Sequence, residues 1–310
     1  MTASHTFGQA RPGAYLWTLN LKVVDDNNQP VSDAKTWVAY GDPKQGQSPD
    51  PFQTNDWAIA GLTDTNGLFI AKHIDHSWSI GIQVQKTGYY SILESYELYK
   101  PGQFDDRKVA ANRNPTLTLT LKKIDKPIQM YAKSLNTHVP DLDKPVGYDL
   151  MVGDWIAPYG TGLNADINFT GHFDKRDGGE SDFTLTVTFP KPGDGIQEFT
   201  VPDSEKSSAL RSPHEAPAEG YKAEWVQFDN RKPKTPTKTN KDANRNYFFR
   251  VRTVTDDRGN IVSAHYGKIY GDFMRFDYYL NPTSNSRNIE FDPKQNMMTN
   301  LKPDEGVSAP

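Results

Sequence analysis

Apolar and polar residues alternate with a period of two along much of the chain. The runs at residues 19–23, 80–84 and 116–124 show this period most clearly in the first part of the sequence. Alternation of this kind predicts strands that bury one face. Clusters of Asp, Asn, Gly and Pro separate the runs, as at residues 25–30 and 64–67, and such clusters form tight turns. The first part is therefore predicted to be a set of short antiparallel strands.

The second half repeats this pattern. Three segments alternate with a period of two: DINFTGHF (166–173), DFTLTVTFP (182–190) and IQEFTV (196–201). AEWVQF (223–228) is predicted to be a short strand, and the strongest β segments are NYFFRVRTVT (246–255) and the long run at 261–280. Glycine-containing turns join several of them, and Gly271 interrupts the longest, which indicates a bulge or a bend between strands. About seven or eight strands are enough for a second sandwich of jelly-roll type.

Composition supports an all-β protein and excludes several classes of function. Aromatic residues make up 12% of the chain, and 23 Gly and 22 Pro punctuate the periodic segments. The net charge of -4 gives no basic face of the kind that nucleic acid requires, so no nucleic-acid partner is predicted. The chain has no Cys, which excludes disulfides and thiolate metal sites. No apolar run is long enough for a membrane span.

Three motifs in the first part resemble a known module. Residues 23–34 read V-x-D-x-x-x-x-P-V-x-D-A, residues 63–69 read T-D-x-N-G-L-F, and Gly88-Tyr89 follows. Together, over about residues 16–124, they resemble the carboxypeptidase regulatory-like, or transthyretin-like, β-sandwich domain. The resemblance implies an extracytoplasmic accessory sandwich without catalytic residues of its own. MYAK and GDWIAPYG, further along the chain, resemble segments of bacterial secreted proteins that carry the same module, and they imply no activity.

We therefore expect two β-sandwich domains. Residues 1–126 form the transthyretin/Ig-like sandwich, 127–164 an ordered connector, 165–291 the jelly-roll-like sandwich and 292–310 a tail that is disordered after about residue 300. No apolar signal segment follows Met1. The polar start is typical of a mature secreted protein whose leader has been removed, so a periplasmic or secreted location is expected.

The stretch at residues 145–162 combines glycines and prolines with three aromatic residues, which is typical of an ordered, packed loop. Trp155, Tyr159 and Tyr148 lie in it, and Trp57 ends a long loop of the first domain. Exposed Trp and Tyr rings stack on sugars, so these four residues are the candidate ligand-binding residues. The alternative, which we favour for Trp155, is packing at the junction between the domains.

Metal and catalytic sites have weaker signals. His73 and His76 flank Asp75 at a spacing that suits a metal only on a loop. Residues 64–67 resemble the start of a calcium loop but are better explained as a hairpin turn. No metal or cofactor is therefore predicted. Carboxylates are available for a glycan hydrolase at Asp149, Asp154, Asp166, Glu224 and Asp272, but the chain has no recognised catalytic motif, and no catalytic residue is predicted.

A basic run at residues 231–241 completes the candidate features. It could steer an anionic polysaccharide or a membrane surface toward the protein, although a solvated loop is the simpler interpretation. The sequence thus favours a non-catalytic extracytoplasmic accessory protein that binds carbohydrate or a cell-envelope protein. The alternatives are a structural component of a surface complex and a glycan-active hydrolase.

Overall fold

The computed structural model describes residues 15–40, 58–75, 79–97, 114–136, 138–242 and 244–310. The prediction of an all-β protein is confirmed, because these residues form four sheets and, apart from two single 3-10 turns, no helix. They fall into two compact units. Unit 1 comprises residues up to Ile124 together with Pro202–Arg211, and unit 2 comprises Asp125–Val201 together with Ser212–Pro310.

Unit 1 contains one mixed sheet and one antiparallel sheet. Its strands are β1 (Tyr15–Asp25), β2 (Lys35–Tyr40), β3 (Ala58–Leu62), β4 (Leu68–Asp75), β5 (Ser79–Gln85), β6 (Ile92–Glu97) and β7 (Thr116–Leu121). One sheet has the order β4-β1-β7 and the other β3-β2-β5-β6. Alternate residues of β1, including Trp17, Leu19 and Leu21, are buried in a single core with residues of the second sheet such as Val38 and Ile82. The period of two in the sequence thus marks the core face.

Part of unit 1 comes from a distant segment of the chain. The sequence places residues 202–211 inside the predicted second sandwich, 165–291, but Pro202–Arg211 belongs to unit 1. Leu93 N donates to Ser207 O at 3.0 Å, and Ala209 N donates to Ser91 O at 2.9 Å. The segment therefore covers the free edge of β6. Exposed edges invite unwanted pairing, so this cover has a clear physical benefit.

We expect the amide hydrogens of Leu93 and Ala209 to exchange slowly, because both are bonded to carbonyl groups across this added edge. Ala209→Pro removes one of these donors and should speed exchange at Leu93 by about tenfold. Hydrogen exchange followed by NMR measures both amides. Equal protection of Leu93 in the wild type and the variant would contradict the pairing.

Unit 2 contains two six-stranded sheets. Its strands are β8 (Ile128–Asn136), β9 (Val146–Asp149), β10 (Asp154–Trp155), β11 (Ile167–Lys175), β12 (Ser181–Thr188), β13 (Gly195–Phe199), β14 (Glu224–Arg231), β15 (Lys238–Thr239), β16 (Asn246–Thr255), β17 (Ile261–Asp272), β18 (Arg275–Leu280) and β19 (Phe291–Asn296). The sheet orders are β10-β9-β11-β12-β14-β15 and β13-β16-β17-β18-β8-β19. We call these the front sheet and the back sheet.

The back sheet is buried on both faces. Tyr247 and Phe249 of β16 belong to the core that it shares with the front sheet, whereas Phe248 between them belongs to a second core on the opposite face. Loop residues such as Ala216, and the C-terminal Val307, pack on that second core. Burial on both faces explains why the first six residues of β16 are all buried and do not alternate between buried and exposed.

Two of the predicted boundaries are wrong. Residues 127–164 are not a connector, because β8 lies inside the back sheet between β18 and β19, and β9 and β10 belong to the front sheet. The end of the chain is not a disordered tail. Ser134 N donates to Glu305 O at 2.8 Å, and the Tyr279 hydroxyl donates to Ala309 O at 3.1 Å. These bonds hold the C-terminal residues against the back sheet.

Candidate functional site

The loop at residues 145–162 is ordered by the carboxylate of Asp154. Its Oδ2 accepts hydrogen bonds from the Thr161 backbone N at 2.8 Å and from the Thr161 hydroxyl at 2.9 Å, while Oδ1 accepts one from Trp155 N. The turn is tight enough to require glycine, because a Cβ on Gly160 would lie 2.5 Å from the Trp155 carbonyl oxygen. The prediction of an ordered, packed loop holds for these residues.

The candidate rings of this loop do not form a shared surface. Tyr148 is only 1% exposed, and Trp155 is half-buried with its ring edge-on to Tyr148 at 5.1 Å and to Phe169 at 5.5 Å. Both therefore pack in the core of unit 2, and a ligand cannot reach Tyr148. Tyr159 is 37% exposed and donates its hydroxyl hydrogen to Asp141 Oδ2 at 3.0 Å. Trp57 lies outside the described residues.

Arg252 joins two carboxylates that lie 103 and 86 residues before it in the sequence. Its Nη2 lies 2.7 Å from Asp149 Oδ1, and its Nε lies 2.8 Å from Asp166 Oδ1. Both carboxylate side chains are almost fully buried, whereas the Arg252 side chain is about one-fifth exposed. Arg252 sits at a bulge in β16 with a φ of 55°, and the Asp194 carboxylate holds this bulge by accepting the backbone N–H groups of Arg252 and Thr253.

The oxygens of Asp149 and Asp166 are fully engaged. Asp149 accepts four backbone N–H groups, from Met151, Val152, Leu163 and Asn164, in addition to Arg252. Burial raises the pKa of Asp149, but these hydrogen bonds outweigh it, and the net pKa is lowered. Burial also raises the pKa of Asp166, and there Arg252 offsets it only in part. Two of the candidate acids thus meet at one arginine, where they fasten the loop at residues 149–164 to β16.

Loss of Arg252 should destabilise the protein strongly. Arg252→Gln leaves two buried carboxylates without their cation, and the free energy of unfolding should fall by about 3 kcal/mol. Denaturant unfolding at pH 7 measures the change. Arg176→Gln is the matched control, since Arg176 also bridges two aspartates but at the surface, and its unfolding should hardly change. Similar losses in the two variants would contradict a special role for Arg252.

The deficit of Arg252→Gln should shrink as the pH falls. Without the guanidinium, the pKa of Asp166 rises further above its unfolded value. A carboxyl group whose folded pKa is raised favours folding when protonated, so the penalty is largest at neutral pH and fades toward pH ~4. Unfolding curves of wild type and variant at pH 7 and at pH ~4.5 test this sign. A gap that widened on acidification would refute it.

The metal candidates of the first domain have structural partners. Asp64 Oδ1 accepts the backbone N–H groups of Asn66 and Leu68 at 2.9 and 2.8 Å, so this carboxylate forms a turn, as predicted. His73 lies on β4, and His76 lies outside the described residues. Among the residues that the structure describes, no three His, Asp or Glu side chains come together as a metal site requires.

A groove that was not predicted lies at one end of the front sheet. It has a volume of about 420 Å³, and Phe173, Lys175, Phe183, Asp229, Arg231 and Lys241 are among its lining residues. β11, β12 and β14 place these side chains in rows, because Phe173 pairs with Phe183 and Phe183 with Asp229, while Lys175 pairs with Ser181 and Ser181 with Arg231. By strand alternation, Phe173 and Phe183 share the face of the core residues Phe169 and Leu185. The groove is thus an extension of the core face beyond the core.

One ring of the groove, Phe173, is open to solvent, and the other, Phe183, is half-buried beside a cation. Phe173 is 56% exposed, and its ring centroid is 6.4 Å from that of Phe183 in an edge-to-face arrangement. The Lys241 ammonium lies 5.3 Å from the Phe183 centroid and 2.8 Å from Asp229 Oδ2. Arg231 Nη2 lies 3.1 Å from the same oxygen. The groove therefore offers aromatic surface and hydrogen-bond donors side by side.

Sequence reasoning missed this groove because Phe173 and Phe183 continue the apolar alternation of β11 and β12. A periodic Phe at the end of such a run reads as core. One available signal is the hydrophilic context, since the whole segment between Phe173 and Phe183 reads DKRDGGESD. Few residues lie between such a ring and the solvated turn, so little of the chain is available to cover the ring.

Comparisons with known proteins add little. No protein-family model matches the chain, and no curated protein matches it. Solved structures that resemble part of it include 3-chlorocatechol 1,2-dioxygenase from Rhodococcus opacus 1CP, with a TM-score of 0.27 and 15% identity over 38% of this chain and 63% of that one. Catechol 1,2-dioxygenase from Acinetobacter sp. ADP1 gives 0.26 and 14% over 39% and 59%. This chain thus spans less than two thirds of either enzyme.

An intradiol ring-cleavage dioxygenase from Tetranychus urticae gives a TM-score of 0.25 and 13% identity, over 38% of this chain and 85% of that one. Likeness at these scores carries no argument about this protein. The described residues also include no helix long and apolar enough to cross a membrane.

Proposed function

We propose that the protein is a non-catalytic, extracytoplasmic accessory protein that binds carbohydrate in the groove of the front sheet. The observation that carries the proposal is the exposed Phe173, which lies beside Phe183 on a rigid sheet. The extracytoplasmic location follows from the resemblance of the first domain to a carboxypeptidase regulatory-like sandwich, and it stays a proposal with it.

The chemistry of the groove suits a sugar. The C–H face of a pyranose ring packs on an aromatic ring, and its hydroxyl groups need donors and acceptors at the edge. Phe173 supplies the ring, and Lys175, Arg231 and Asp229 supply charged groups around it. Neighbouring strands fix all four, so little ordering is needed when a ligand binds.

The groove does not have the arrangement of a glycan hydrolase. Hydrolysis needs two carboxyl groups on opposite sides of the scissile bond, at least one of them free to exchange a proton. Of the groove carboxylates, Asp229 is bound by Lys241 and Arg231, and Glu180 lies 3.5 Å from the Arg176 guanidinium. Asp149 and Asp166, which lie in the core, are committed to Arg252. These contacts support binding without catalysis.

Phe173→Ala should weaken carbohydrate binding by about tenfold, the effect of losing one stacked ring. Affinity electrophoresis through gels that contain soluble polysaccharides measures the change. Tyr159→Ala is the matched control, since Tyr159 is the exposed ring of the other candidate binding region, the loop at residues 145–162.

Either result assigns the site. Loss of retardation in Phe173→Ala alone supports the groove, whereas loss in Tyr159→Ala alone returns the site to the loop at residues 145–162. No retardation of the wild-type protein by any polysaccharide at millimolar sugar concentration would overturn the proposed function.

A further inference from the structure

We infer that the ligand of the groove is an acidic polysaccharide, whose carboxylate or sulfate groups are bound by Lys241 and Arg231. This inference rests on the proposed function. It assigns the two cations to ligand contact and makes Asp229 a positioning residue that holds both of them.

The cations of the groove outnumber the acids that face them. Lys175, Arg231 and Lys241 line it, and the Asp229 carboxylate can neutralise only one of the three charges. The other lining acid, Glu180, lies 3.5 Å from Arg176, but the single charge of Arg176 also faces Asp174 and Asp182. Glu180 therefore counts against the groove cations, and the lining holds three cations and two carboxylates. The groove therefore keeps an excess of positive charge although the whole chain carries a net charge of -4.

Strand alternation separates the acids of this region from the cations. Asp174 and Asp182 occupy the positions next to Phe173 and Phe183, so they face the opposite side of the sheet. Arg176 holds them there, with its Nε 2.8 Å from Asp174 Oδ2 and its Nη2 2.7 Å from Asp182 Oδ2. An anion in the groove thus meets the cations without these two carboxylates beside it.

The basic run at residues 231–241 is an anchored hairpin and not a loose loop. Phe228 N donates to Asn240 Oδ1 at 2.7 Å, and Asn240 Nδ2 donates to Val226 O at 2.8 Å. This asparagine ties the return of the hairpin to β14 and so fixes Lys241 at the groove. The exposed Lys232, Lys234 and Lys238 lie along the same hairpin, where they raise the local concentration of an anionic chain.

Asp229 is buried and stays ionised. Burial raises its pKa, but the bonds from Lys241 and Arg231 outweigh burial and lower it overall. Two cations that share one fixed carboxylate are held close together with donor capacity to spare, since an ammonium has three N–H groups and a guanidinium five. A ligand carboxylate or sulfate accepts the remaining N–H groups.

A polysaccharide fits better than a nucleic acid. Nucleic-acid binding depends on neutralising many phosphates, which calls for a broad basic surface. Here the excess charge is confined to the groove and its hairpin, beside two rings. An acidic sugar chain presents apolar ring faces between its charged groups, which matches the rows of rings and cations.

The test compares four probes by fluorescence anisotropy or retardation at low salt: polygalacturonate for carboxylates, dextran sulfate for sulfates, dextran as the neutral chain, and a thymidine oligonucleotide. The double variant Arg231→Gln/Lys241→Gln removes the proposed anion contacts. Lys22→Gln/Lys72→Gln removes the same charge from exposed positions in unit 1 and serves as the control. Thermal unfolding shows that each variant is folded.

We expect the wild type to prefer one acidic probe to dextran, and to lose about tenfold in affinity for it in the groove variant but not in the control. Whichever of polygalacturonate and dextran sulfate binds more tightly identifies the anionic group. The preference should diminish in high salt, because ions screen the exposed charges.

Each other outcome has one meaning. Dextran bound as tightly as the acidic probes, with loss in Phe173→Ala, overturns the acidic ligand and leaves the proposed function standing. Equal losses in the groove and control variants overturn the assignment of Lys241 and Arg231. An oligonucleotide bound as tightly as the best polysaccharide overturns the ligand class, and no binding of any probe overturns the proposed function itself.

Discussion

The guanidinium of Arg252, between the buried carboxylates of Asp149 and Asp166, is the constraint on which the front of unit 2 depends. Leaving either acid buried without a cation would cost several kcal/mol, so the loop can only close with the arginine in place. The loop carries Trp155 into the core, and Trp155 packs against Phe169 of β11. This ion-paired cluster thus joins the bulge of β16 in the back sheet to the segment between β9 and β11 in the front sheet.

The back sheet is stabilised by apolar packing on both of its faces. Because both of its faces are buried, its strands need cover on the side away from the front sheet. Irregular segments and the C-terminal residues supply that cover, and Val307, which packs on the second core, is an example. With cores on both of its faces, the back sheet is the central layer of unit 2.

Much of the fold follows from the sequence, because a strand with one buried face shows alternating apolar and polar residues. β8 does not, since Met130 and Ala132 lie in one core and Leu135 in the other, which removes the contrast between faces. The Arg252 cluster has no local signal either, because its members are about a hundred residues apart in the chain. The groove was missed for the opposite reason. Phe173 continues the apolar alternation of the core residues of β11, although its own side chain is exposed.

The origin of residues 202–211 has a consequence for the order in which the chain folds as it is synthesised. These residues complete the edge of unit 1, yet they follow β13 of unit 2 in the sequence. When β7 leaves the ribosome, the sheet of β6 still lacks its final partner. The edge of β6 therefore stays unpaired until residues 202–211, which follow the first half of unit 2, have been synthesised. Biogenesis of the two units is therefore interleaved, and neither is finished before most of the polypeptide has emerged.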